Sequence, residues 1–115
     1  MPANKISVVY RGVNLKLIDS ILEEKTENPV LIYVGRLVRH KRVDIILKLF
    51  KIIVMQNPNI QLYIIGIGPD YDKLNQLSRN LGIGDKVKFT GYVTEKEKYR
   101  LLKKAHIYLQ VKKRG

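Results

Sequence analysis

The chain predicts an α/β fold: an open, mainly parallel sheet with helices on both faces, Rossmann-like, built as a single partial domain over residues 1–115. Three observations predict it. Short apolar runs alternate with helix-patterned segments along the whole chain. The run Val30–Val34 is apolar at every position, as expected for a strand covered on both faces. Two strand-to-helix junctions are punctuated by glycine, at Gly35-Arg36-Leu37 and at Gly66-Ile67-Gly68-Pro69.

Taken in order, Ile6–Tyr10 reads as a first strand, followed by a weak helix at about Leu15–Glu24 and a polar turn through Glu27-Asn28-Pro29. After Val30–Val34, the stretch Lys41–Met55 carries the clearest helical pattern. Its polar residues Lys41, Asp44, Lys48 and Lys51 form one narrow stripe, so the rest of the helix is expected to be buried. Pro58 cannot continue the hydrogen-bond ladder and stops it. Ile60–Ile65 is the next strand, Tyr71–Leu81 the next helix, and Gly82 its C-terminal cap. Lys86–Thr90 alternates like a strand. Thr94-Glu95-Lys96-Glu97 matches a capping box that starts a helix running to Ala105, and His106–Val111 is the last strand. If the strands follow the common 3-2-1-4 half, Val30–Val34 and His106–Val111 are neighbours at the switch point.

Composition narrows the class without naming the ligand. Twenty-two Lys and Arg against ten Asp and Glu leave a net charge of +12. Such a surface attracts phosphate, whether on nucleotides, nucleic acid or anionic lipid. With no cysteine, disulfides and thiolate metal sites are excluded. No apolar stretch reaches the roughly 18 residues of a membrane span, and the N-terminal residues lack a secretory-signal layout, so a cytoplasmic location, with peripheral membrane contact as an option, is expected.

The chemistry concentrates after Val34. A buried strand there gives way through Gly35 to Arg36 and then Lys41, just ahead of a helix. Ligands of open α/β sheets bind at that edge, and helix N-termini favour phosphate. The separation of the two cations carries little in so basic a chain; their place at a strand end carries the argument. Arg36 is suited to grip phosphate oxygens with two parallel hydrogen bonds, while Lys41 acts as a point charge. Together they are worth roughly 3–6 kcal/mol. Immobilising a ligand costs about 4–15 kcal/mol, so contacts to other parts of the ligand are required. No Gly-x-Gly-x-x-Gly fingerprint is present, because position 71 is Tyr. Asp70 and Asp72 are explained by the dipole of the helix they open, without a metal. His40 and His106 have no carboxylate or second histidine at metal-ligand spacing in the sequence.

Several motifs, in order, resemble the C-terminal, donor-binding domain of GT-B glycosyltransferases of family 4 (group 1). Tyr10-Arg11-Gly12-Val13-Asn14 resembles the segment leading into that domain. Val34-Gly35-Arg36-Leu37 with Lys41 resembles its diphosphate turn. Ile65-Gly66-Ile67-Gly68-Pro69 resembles its Gly-x-Gly-Pro turn, and Val87–Val93 its strand and base-binding loop. The resemblance implies that a nucleotide diphosphate sugar, UDP- or GDP-linked, is the donor, with no further cofactor and no metal. It places Gly35, Arg36 and Lys41 on the diphosphate, and Gly66, Gly68, Gly91, Tyr92 and Val93 around the base. It also marks departures. Arg42 stands where the family usually has glycine, and Arg11 where it has asparagine. The family's paired glutamates, eight apart after the last strand, have no counterpart, and its acceptor domain with the catalytic histidine is missing. The resemblance therefore implies a donor-binding portion that is inactive alone, with no catalytic residue of its own. A split-enzyme subunit and a basic nucleic-acid-binding module are the alternatives. Nucleic acid is the less expected partner, since the seven tyrosines are scattered rather than forming a stacking platform. A separate acceptor-binding chain, or self-association through an exposed sheet edge, is the further expectation for partners.

Overall fold

The computed structural model describes residues 28–111. The expected first strand Ile6–Tyr10, the helix at Leu15–Glu24 and the basic end from Lys112 lie outside the described residues. Four strands, β1 (Val30–Val34), β2 (Gln61–Ile65), β3 (Val87–Gly91) and β4 (Ile107–Tyr108), form one sheet. The spatial order is β3-β2-β1-β4 and every strand pair is parallel. β1 and β4 are thus neighbours, as expected from the sequence. Leu31 pairs with Ile107 across them.

Three helices connect the strands: α1 (Val43–Gln56), α2 (Tyr71–Asn80) and α3 (Glu95–Lys104). The strand period of two sorts the side chains into two layers. Leu31, Leu62, Ile64, Val87, Ile107 and their neighbours face α1 and α2 in the larger core, where Ile46, Leu47 and Phe50 of α1 are completely buried. Val30, Ile32, Val34, Tyr63 and Ile65 face the other way and pack with Leu101, Leu102 and Ala105 of the α3 segment. Helices therefore cover both faces, and the fold class is the one read from the sequence.

The expected last strand His106–Val111 is shortened to Ile107–Tyr108 in the ladder, and two helix starts also depart from the expected chemistry. The α2 helix closes on Gly82 at φ +77°, with Gly82 N–H donating to Arg79 and Ile83 N–H to Ser78. This is the paired closure that a left-handed glycine permits, and Ile83 is buried behind it. At α3, Thr94 Oγ1 accepts from Glu97 N–H at 3.1 Å. The Glu97 carboxylate, however, lies against Arg100 at 3.4 Å, so the reciprocal half of the expected capping box is replaced by a surface ion pair.

The larger correction concerns the start of α1. The expected helix from Lys41 begins at Val43 instead. Arg39–Lys41 form a single 3-10 turn, and Arg42 lies in the left-handed region at φ 52°, ψ 47°. A non-glycine residue is disfavoured there by its Cβ. The hydropathy pattern runs on through this break because Lys41 happens to fall on the same polar stripe as Asp44, Lys48 and Lys51. The far end differs too, since Ile52 and Met55 are 46% and 74% exposed rather than buried. Ile52 and Met55 extend the outward face that Lys48 begins, while Ile53 between them stays buried in the core.

His106 proves to be a strand-pairing device. The ring Nδ1 accepts the Val30 N–H at 2.9 Å while the His106 backbone N–H donates to Val30 O at 2.7 Å. The ring thus completes the ladder where β4 joins β1.

Candidate functional site

In a parallel sheet whose strands feed helices, all strand-to-helix connections emerge at one edge. Here that edge is formed by Gly35–Arg42 after β1, Gly66–Asp70 after β2 and Gly91–Thr94 after β3. The three connections are bound to each other through their backbones. Gly35 N–H donates to Ile65 O (3.0 Å), Leu37 N–H to Ile67 O (2.9 Å), Asp70 N–H to Leu37 O (3.0 Å) and Gly66 N–H to Gly91 O (3.1 Å). The result is one continuous ledge of main chain along the carboxyl ends of the strands.

Two glycines make that approach sterically feasible. A Cβ at Gly66, which sits at φ +142°, would stand 1.8 Å from Gly35 O. A Cβ at Gly68 would stand 2.3 Å from Leu37 O. Both obstacles are backbone and cannot swing aside. Gly35 is constrained by a side chain instead, since a Cβ there would lie 2.7 Å from the Tyr33 hydroxyl. The spacing of Gly66 and Gly68 thus has a complete explanation in chain packing.

On this ledge the two cations share one connection. Arg36 and Lys41 are exposed, and Leu37 between them is buried at 1%, pinning the loop into the α1 and α2 core. Arg39 and His40 are exposed on the same 3-10 turn. The N-terminus of α1 opens directly behind it, so a helix start and four consecutive basic side chains, Arg39 to Arg42, share one edge. Arg42 is engaged: its guanidinium donates twice to Asp44, at 3.1 and 3.0 Å. The hydrogen bonds from Arg42 hold the Asp44 carboxyl below the usual carboxylate range.

At the other end of the ledge, Tyr92 is 78% exposed, a bare aromatic face at the rim. Val93 parts from it, half-buried against the α3-side cluster with Val34 and Tyr63. Its side chain therefore serves packing, although sequence grouped it with the rim loop. Among the described residues no group of three or more His, Cys, Asp or Glu is placed to hold a metal ion. Asp70 and Asp72 stand at the first turn of α2.

Sequence reasoning missed two supporting groups. Tyr33, 3% exposed, donates its hydroxyl to Arg36 O at 2.9 Å. Tyr108 donates to Val34 O at 3.3 Å. Burial, with Tyr108 nearby as the lesser cause, pushes the Tyr33 phenol up to about 12. Burial likewise raises Tyr108. The available signal was a hydroxyl within an otherwise aliphatic strand, Val-Leu-Ile-Tyr-Val, which requires a buried partner.

A parallel sheet, a glycine-built ledge and exposed cations ahead of a helix N-terminus define a Rossmann-like fold with a basic edge. Comparison with known proteins is more specific. The family described as Glycosyl transferases group 1 matches residues 16–113, and the chain belongs to it. An uncharacterized glycosyltransferase of Methanocaldococcus jannaschii is 30% identical over 117 residues, covering 96% of this chain and 30% of the relative. Lipopolysaccharide 1,6-galactosyltransferase of Salmonella typhimurium is 38% identical over 92 residues, covering 78% of this chain and 25% of the relative. Among solved structures, the pneumococcal O-GlcNAc transferase GtfA, in complex with UDP and GlcNAc, superposes with a TM-score of 0.64 at 15% identity. That alignment covers 92% of this chain and 25% of GtfA, and it shows a shared fold. The chain thus spans between a quarter and a third of the length of these relatives. Among the described residues no helix is long and apolar enough to cross a membrane.

Proposed function

We propose that this chain is the donor-binding portion of a glycosyl transfer system and that its ledge receives the diphosphate of a nucleotide sugar. The single observation that carries the reading is the β1-to-α1 connection. It presents exposed Arg36 and Lys41 on either side of buried Leu37, at the sheet edge where a helix N-terminus opens. Arg36 grips phosphate oxygens with its planar fork, and Lys41 neutralises remaining charge. Tyr92 at the far rim offers a face on which a nucleobase stacks. Gly66 and Gly68 contribute by letting main chain, rather than side chains, floor the site. The pneumococcal neighbour, solved with UDP, supports a uridine nucleotide as the first ligand to test. GDP is the second.

Binding is the activity expected of these 115 residues by themselves, without sugar transfer. The test is a thermal-shift and calorimetric titration with UDP, GDP and ADP and their sugars, repeated with Arg36→Ala and Lys41→Ala. One diphosphate should stabilise the chain, and each substitution should weaken it about 10-fold or more, since a hydrogen bond to a charged group is worth roughly 1.5–3 kcal/mol. Equal weak shifts from every polyanion, unaffected by Arg36→Ala, would leave only a cationic surface. Release of sugar from a nucleotide sugar by the purified chain would refute the expected lack of transfer.

A further inference from the structure

We infer that the Tyr33 and Tyr108 hydroxyls are positioning groups that lock the end of β1 and so aim Arg36 along the ledge. For its ligand arm this rests on the diphosphate reading above.

The hydrogen-bond accounting of the turn leads there. Its amides are used on one side: Gly35 N–H donates to Ile65 at the end of β2 and Leu37 N–H to Ile67 in the β2-to-α2 connection. Its carbonyls at Val34 and Arg36 are left over, and each accepts from a phenol, Tyr108 at 3.3 Å and Tyr33 at 2.9 Å. The two rings reach the turn from opposite layers. Tyr33 belongs to the α1 and α2 core, whereas Tyr108 packs with the α3-side cluster. The end of β1 is therefore held from above and below as well as from the side.

Packing alone does not require either hydroxyl, since phenylalanine would fill the same space. The Tyr33 oxygen also occupies the room beside Gly35 that a Cβ would need, so glycine and phenol are matched to each other. Arg36 itself is exposed. Its backbone carbonyl, fixed by Tyr33, is the anchor from which its stem departs. A guanidinium that binds through two parallel bonds loses most from misdirection, because both bonds depend on one plane.

The experiment uses the whole chain with Tyr33→Phe, Tyr108→Phe, Arg36→Ala and the Tyr33→Phe/Arg36→Ala double variant, with Tyr99→Phe on the exposed face of α3 as control. Amide hydrogen exchange should quicken by about three- to tenfold at Gly35 and Leu37 in Tyr33→Phe, with Leu31 unchanged, as expected when one turn bond is lost. UDP affinity should fall about three- to tenfold in Tyr33→Phe, yet show no further loss when Tyr33→Phe is added to Arg36→Ala. A structural role alone would give the same added loss in both backgrounds. Unchanged exchange at Gly35 and Leu37 in both tyrosine variants overturns the inference whatever the ligand does. Additive affinity losses overturn it as well. If the wild-type chain binds no nucleoside diphosphate while exchange still localises to the turn, the lock stands and the diphosphate reading falls.

Discussion

Replacing the ledge glycines one at a time by alanine separates close backbone approach from backbone conformation. Gly91 sits at φ +70° with nothing within 4 Å of an added Cβ. Gly91→Ala therefore carries only the left-handed penalty, roughly 1–2 kcal/mol. Gly68→Ala meets Leu37 O at 2.3 Å without an unusual φ. Forcing an extra carbon into filled space costs about 1–3 kcal/mol, and the Asp70 to Leu37 hydrogen bond is strained in addition. Gly66→Ala combines both faults, with φ +142° and Gly35 O at 1.8 Å, so about 3–5 kcal/mol is expected. A domain near this size has roughly 6–17 kcal/mol in total, so that single carbon removes a large share. Urea unfolding followed by far-ultraviolet circular dichroism gives the ranking, with the denaturant slope checked for constancy. Thermal midpoints should fall by about 12–20 °C for Gly66→Ala against roughly 4–8 °C for Gly91→Ala. If Gly66→Ala falls within about 1 kcal/mol of Gly91→Ala, the two connections do not touch as described.

Arg42→Gly should raise the thermal midpoint, because glycine suits the left-handed position at φ 52° that arginine occupies under protest of its Cβ. The same variant should move the Asp44 titration upward by carbon-detected NMR; an unshifted Asp44 would disprove the guanidinium's part. Alkaline stability should depend on Tyr33. Below pH 10 both folded and unfolded phenols are protonated and the contribution is complete; between about 10 and about 12 only the unfolded phenol ionises, so the stability of the wild type over Tyr33→Phe declines. A difference between the two proteins that is flat with pH would contradict this. Thr94→Ala removes the side-chain acceptor at the start of α3 and should cost about 1 kcal/mol, read as a midpoint lowered by roughly 4 °C; no change would mean that α3 starts without its cap.

Much of this fold is legible in the sequence. An all-apolar Val30–Val34, glycines at two strand ends and Gly82 after a polar helix are local signals, and local physics decides them. The neighbouring of β1 and β4 was legible too, because parallel strands joined by helices admit few orders. The break at Arg42 was not. Hydropathy is blind to φ, and the polar stripe continued through a residue that the backbone had turned to the left-handed side. The split between Tyr92 and Val93 was equally hidden, since adjacent residues of one loop differ only in which layer lies beneath them.

The chain's own letters determined the class of fold, the sides of its strands and the place where cations meet a helix start, because periodicity and turn chemistry act over a few residues. Only the tertiary structure decided why Gly66 and Gly68 are glycines and what Tyr33 and Tyr108 do. Those answers depend on groups from separate strands and connections meeting at one sheet edge, and no residue's immediate neighbours in sequence specify such a meeting.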